Sequence, residues 1–127
     1  MAEHLGSTKG YLDDEALDDY LTCFRDPETI RGMCEDYRAG ATIDYEIDLA
    51  DMEAGARIHC PVLVLWAAKG ELEEWYDPLE VWREWAEDVR GGALPCGHYL
   101  AEEAPEETVE ALMAFLSEPA PPIRSDR

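Results

Sequence analysis

Hydrophobic positions in the first half of the chain recur at helical spacing. Leu12, Ala16, Leu17, Tyr20, Leu21 and Phe24 fall on one face and Asp14, Asp18 and Asp19 on the other, which predicts an amphipathic helix. Asp13 is a suitable N-cap, and the acids after it complement the positive end of the helix dipole. Asp26-Pro27 ends this helix and starts a second, with Asp26 as N-cap and Pro27 at the first helical position. The second helix is expected to reach about Ala39, with Ile30, Met33, Cys34 and Tyr37 on one stripe and Gly40 at its end. A third, more acidic helix is expected from Asp44 to Glu53, closed by Gly55.

The period changes at Ile58. Pro61 opens V-L-V-L-W, a continuous apolar, β-branched run of the kind found in strands covered on both faces. Asp77-Pro78 then starts an amphipathic helix whose apolar stripe includes Trp82 and Trp85, read as core residues. A weaker strand, Val89–Leu94, follows with glycines inside it, and Pro105 starts a last helix carrying Val109, Leu112, Met113, Phe115 and Leu116. Strand, helix, strand, helix at this spacing is a βαβα unit with parallel strands. The expected organisation is a helical region over 1–57, the βαβα region over 58–117 and a disordered tail over 118–127. Two parallel strands do not form an independent sheet, because such strands need neighbours and helices on both faces. The expectation is either that further strands come from another chain, a complementing one or a second copy in a homo-oligomer, or that this is the second half of a longer protein.

At 127 residues the chain is at most one ordinary domain, and its 46% hydrophobic content predicts a real core. A net charge of −20 argues against nucleic acid and against anionic membrane surfaces as partners. The acids concentrate early, with fourteen Asp or Glu against three Arg between positions 11 and 53, and read as a solvated surface. Cys23, Cys34, Cys60 and Cys96 include no C-x-x-C pair, so neither zinc nor a redox motif is expected, and the four read as free thiols of a reducing compartment. With no signal-like segment and no apolar run of membrane-spanning length, a cytoplasmic location is expected.

Candidate chemistry gathers after the second strand, in L-P-C-G-H-Y-L-A-E-E-A-P-E-E (Leu94–Glu107). His98 lies just past a strand end, at the edge of a parallel sheet where α/β proteins place their sites. An imidazole there can take a proton from water or from a nucleophile near neutral pH. It could equally be a histidine that caps a helix or is bonded in a turn. Trp75, with Tyr76, lies on the connection after the first strand and could line an entrance.

C-E-D-Y-R-A-G-A-T-I-D-Y-E-I-D (Cys34–Asp48), A-G-A-R-I-H-C-P-V-L-V-L-W (Ala54–Trp66), D-P-L-E-V-W-R-E-W-A-E-D-V-R-G (Asp77–Gly91) and the histidine string are four long segments. Together they resemble the haloacetate dehalogenases of the α/β-hydrolase superfamily. The resemblance implies an α/β fold built from the carboxyl-terminal part of the hydrolase core, its last two parallel strands and flanking helices, preceded by helices of a cap domain. It implies that His98 is the base that activates water, and that Tyr37 is a cap tyrosine whose phenolic O–H helps hold the leaving halide. A Tyr37 on the helix stripe also fits a plain aromatic core residue. The substrate implied is a small halogenated acid, with no metal and no organic cofactor.

The departures from that family are specific. Its nucleophilic aspartate sits on a G-x-D-x-G elbow, which does not occur in this sequence, and the oxyanion-hole H-G segment and the arginines that grip the substrate are also missing. Where many α/β-hydrolases carry an orienting acid as W-G-x-x-D, this chain has Trp66-Ala67-Ala68-Lys69-Gly70, which fits the dehalogenase arrangement, in which the acid follows an earlier strand that these residues lack. Glu71, Glu73, Glu74 and Asp77 are the nearby carboxylates, and Glu3 and His4 stand where a halide-pocket element would be sought. The chain alone is therefore expected to be inactive, since loss of a nucleophile removes covalent catalysis. The competing expectations are a non-catalytic, self-associating half-domain and a part of an epoxide hydrolase.

Overall fold

In the computed structural model, which describes residues 10–119, the helical and strand periods of the chain become seven helices and two strands. The order is α1 (Asp14–Phe24), α2 (Pro27–Gly40), α3 (Ile43–Ala54), β1 (Val62–Ala67), α4 (Leu72–Trp75), α5 (Pro78–Trp85), β2 (Val89–Leu94), α6 (Leu100–Glu103) and α7 (Pro105–Leu116). The chain divides into a helical unit, Leu12–Ala56, and a second unit that runs from Arg57 and takes in Tyr11. Glu3, His4 and the expected tail from residue 120 on lie outside the described residues.

Local capping chemistry sets the helix starts. Asp13 accepts the Ala16 N–H at 2.7 Å and Asp26 the Glu28 N–H at 2.9 Å. Asp77 accepts from both Leu79 and Glu80, at 2.9 and 3.0 Å. Each satisfies backbone donors that a helix N-terminus otherwise leaves open. Gly55 closes α3 in the left-handed conformation, with φ 72°, and its N–H reaches the Met52 carbonyl. In the helical unit α2 contacts both α1 and α3, yet none of the three helices has a fully buried residue. The apolar stripes read from the sequence are present and remain largely exposed.

The second unit is built on the β1–β2 pair, parallel and in register from Val62↔Val89 to Ala67↔Leu94. Upstream, an isolated parallel bridge joins Ile58 to Ala86, and the Arg57 guanidinium donates to the Arg83 and Ala86 carbonyls at the end of α5. Helix α5 contacts both strands and α7 contacts β2.

The core differs from expectation. Its buried hydrophobics among the described residues are Ala86, Leu94, Cys96 and Ala104. Every residue of β1 is only half-buried, and Trp82 and Trp85, expected in the core, are exposed and half-buried respectively. The physical reason is geometric: among the described residues, two strands and their helices give V-L-V-L-W a neighbour on one edge only.

Candidate functional site

Because β1 and β2 run parallel, both hand their following loops to the same carboxyl end of the sheet. Two backbone bonds then join those loops: the Ala68 N–H donates to the Leu94 carbonyl at 2.8 Å, and the Lys69 N–H to the Cys96 carbonyl at 3.0 Å. The exit of β1 is thus tied to the segment that leads into His98.

His98 lies between two buried anchors. Leu94, Cys96 and Ala104 form the buried cluster, with Leu65 and Leu100 packed against it, while the His98 side of the loop is exposed. Cys96, 2% exposed, has its thiol pushed up from its ordinary value by burial first and by the charge of Glu103 next. The His98 ring meets the Tyr99 ring edge-on, with centroids 5.2 Å apart, and Tyr99 in turn stacks with Tyr11 at 5.2 Å and 15°. The Tyr11 phenol is raised by desolvation, then by Tyr99 and by the charges of Glu103 and Glu102.

Glu103 is the residue sequence reading missed. Its Oε2 accepts the Gly97 N–H at 3.0 Å and its Oε1 the Tyr99 N–H at 3.1 Å, on either side of His98. In the sequence it is one acid of the E-E-A-P-E-E run and reads as surface charge. The signal available was its position, five residues after His98 and two before Pro105, at the end of the turn that Pro105 follows.

Trp75 lies on α4, beyond the carboxyl end of β1, and is 64% exposed. With Trp66, Glu73, Tyr76, Asp77 and Leu79 it lines an open cleft of about 470 Å³. Two of the acids near this cleft have structural duties: Glu73 Oε1 accepts the Trp66 indole N–H at 2.7 Å, and Asp77 caps α5. Tyr37 belongs to the helical unit, on α2, and at 81% exposure it is not a core aromatic there. His59, beside Cys60, places Nδ1 3.1 Å from Glu87 Oε1. Among the described residues no group of three or more His, Cys, Asp or Glu could hold a metal ion, and no helix is long and apolar enough to cross a membrane. All four cysteines are free, with Cys96 buried and the other three exposed.

No protein-family model matches the chain. It is 38% identical over 107 residues to a fluoroacetate dehalogenase from Burkholderia sp., covering 84% of this chain and 34% of that protein. It is 31% identical over 105 residues to a soluble epoxide hydrolase from Corynebacterium sp. (strain C12), covering 82% of this chain and 34% of the relative. Among solved structures, an α/β hydrolase from Nostoc sp. PCC 7120 superposes with a TM-score of 0.83 at 50% identity, over 89% of this chain and 38% of that one. The chain spans about a third of the length of the curated relatives it matches. With its parallel strand pair and a histidine on the loop beyond the second strand, the chain belongs to the α/β-hydrolase superfamily and carries the carboxyl-terminal part of that fold.

Proposed function

We infer that the chain contributes the base and a halide contact to hydrolytic dehalogenation of small 2-haloacids. In that reaction an aspartate carboxylate, supplied by a segment outside these residues, displaces halide from the carbon that bears it. Water then hydrolyses the resulting ester, releasing a 2-hydroxy acid and restoring the carboxylate, and a base takes the proton of that water. His98 is assigned that proton. Tyr37 is assigned the departing halide through its O–H, and Trp75 the wall of the approach. The observation that carries the reading is the position of His98 at the carboxyl end of a parallel strand, in a chain 38% identical to a fluoroacetate dehalogenase. Epoxide opening by the same kind of nucleophile is the second reading, favoured by the likeness to soluble epoxide hydrolase. Pairing with a second copy of the chain through the half-buried β1 is a third, and the net charge of −20 opposes it at low salt.

The test is a chimera that joins this chain to the part of the Burkholderia dehalogenase it does not match. Fluoride release from fluoroacetate is expected from the chimera, none from this chain alone, and none from the His98→Ala chimera. Full turnover by the His98→Ala chimera sinks the assignment. Hydrolysis of an epoxide with no halide release transfers it to the second reading. A tight dimer of this chain alone by light scattering, together with a chimera that stays inactive, favours the third.

A further inference from the structure

Glu103 holds the backbone on both sides of His98, one carboxylate oxygen to each neighbouring amide. Hydrogen bonds to an ionised acceptor are stronger than neutral ones, so this pair constrains the path of the chain through His98. Glu103 is itself anchored. It ends α6, and the Thr108 hydroxyl of α7 donates to the Leu100 and Ala104 carbonyls, at 3.1 and 2.7 Å. Ala104, the next residue, is 3% exposed. Contacts therefore run from α7 through α6 to the histidine loop. A carboxylate that only capped α6 would need the N–H of Tyr99, the residue that precedes the helix. The bond to Gly97 lies outside the helix and is the part that a cap does not explain.

We propose that Glu103 is the positioning residue of His98, fixing the direction in which the imidazole is presented at the carboxyl end of the sheet. The proposal rests on the reading of His98 as the base, because a base acts only when it is aimed as well as present.

The experiment is NMR on the full chain, labelled with ¹⁵N and ¹³C, as wild type, Glu103→Gln and the charge-matched control Glu106→Gln. In Glu103→Gln the Gly97 and Tyr99 amides exchange with solvent about tenfold faster or more. The His98 ring nitrogen shifts also change, and Glu106→Gln leaves both the amides and the ring unaltered. Unchanged His98 ring signals in Glu103→Gln, whatever its thermal stability, reduce Glu103 to a helix cap and overturn the proposal. Should Glu103→Gln fail to fold, an acid titration of the wild type decides. The Gly97 and Tyr99 amide protons must follow the Glu103 carboxyl carbon with one shared midpoint, and amides that do not follow it overturn the proposal. None of these readouts depends on turnover. A His98 that Glu103 positions, in a chimera indifferent to His98→Ala, would fail the functional reading alone.

Discussion

Gly91 and Val64 face each other across the parallel pair so closely that a Cβ on Gly91 would lie 1.7 Å from the Val64 carbonyl oxygen. Gly91 also has φ 142°, where residues with side chains are strained. The obstruction is backbone, so no side-chain rotation relieves it. Gly91→Ala should therefore cost more than about 3 kcal/mol and separate the strands that present His98. Gly92, one residue on, has nothing within 4 Å of a built Cβ, so Gly92→Ala is the control. Circular dichroism melts of the two variants check this, and equal behaviour would contradict the geometry.

Acid should weaken the chain partly through one pair. Arg90 donates from Nε to Asp88 Oδ1 at 2.9 Å and from Nη2 to Oδ2 at 2.7 Å, and these bonds hold the Asp88 carboxyl below its ordinary value against an opposing desolvation. A depressed folded-state pKa contributes stability that is present above the unfolded pKa and lost as pH falls through the folded one. Melting temperature should thus fall more steeply with acidification in wild type than in Asp88→Asn, the two curves converging below the usual carboxylate range. A constant gap between them at every pH would mean that ionisation of Asp88 contributes nothing.

Thiol chemistry should separate the cysteines by burial. Cys23, Cys34 and Cys60 are exposed, whereas Cys96 is buried with its thiol raised. Iodoacetamide at neutral pH is expected to modify the first three and spare Cys96 until the chain is unfolded, as peptide mass spectrometry would show. Early labelling of Cys96 would indicate that the loop foot beneath His98 opens readily.

Tyr37 and Trp75 offer a distinction between packing and function. Both are mostly exposed, so Tyr37→Phe and Trp75→Ala should each change stability by no more than about 0.5 kcal/mol. In the chimera, loss of the Tyr37 O–H should slow halide release at saturating substrate, and loss of the Trp75 ring should mainly raise KM. Substantial destabilisation by Tyr37→Phe would return that residue to a packing role.

What the sequence made legible was the chemistry that is local. Asp13, Asp26 and Asp77 cap helices because a carboxylate reaches donors two or three residues ahead of it. The parallel pair followed from one apolar, β-branched run and a weaker strand with glycines inside it, with an amphipathic helix between them. The four-residue helices α4 and α6 were invisible to periodicity, since one turn has no repeat to detect. Trp82 and Trp85 were misplaced for a different reason: spacing reports that a stripe is apolar, not that something covers it. His98 stood out through its strand-end position, whereas Glu103 did not, because its two bonds depend on how the loop folds back before α6.

The half-buried β1 also has a calorimetric meaning. The heat-capacity change of unfolding scales with the apolar surface that unfolding newly exposes. Here Tyr37, Trp75, Met113 and Leu116 are already well exposed in the folded chain, and the fully buried hydrophobics are mostly small. Unfolding of this polypeptide by itself should show a low heat-capacity increment and a weak dependence on denaturant for 127 residues. Both quantities should rise sharply in any assembly that closes over V-L-V-L-W.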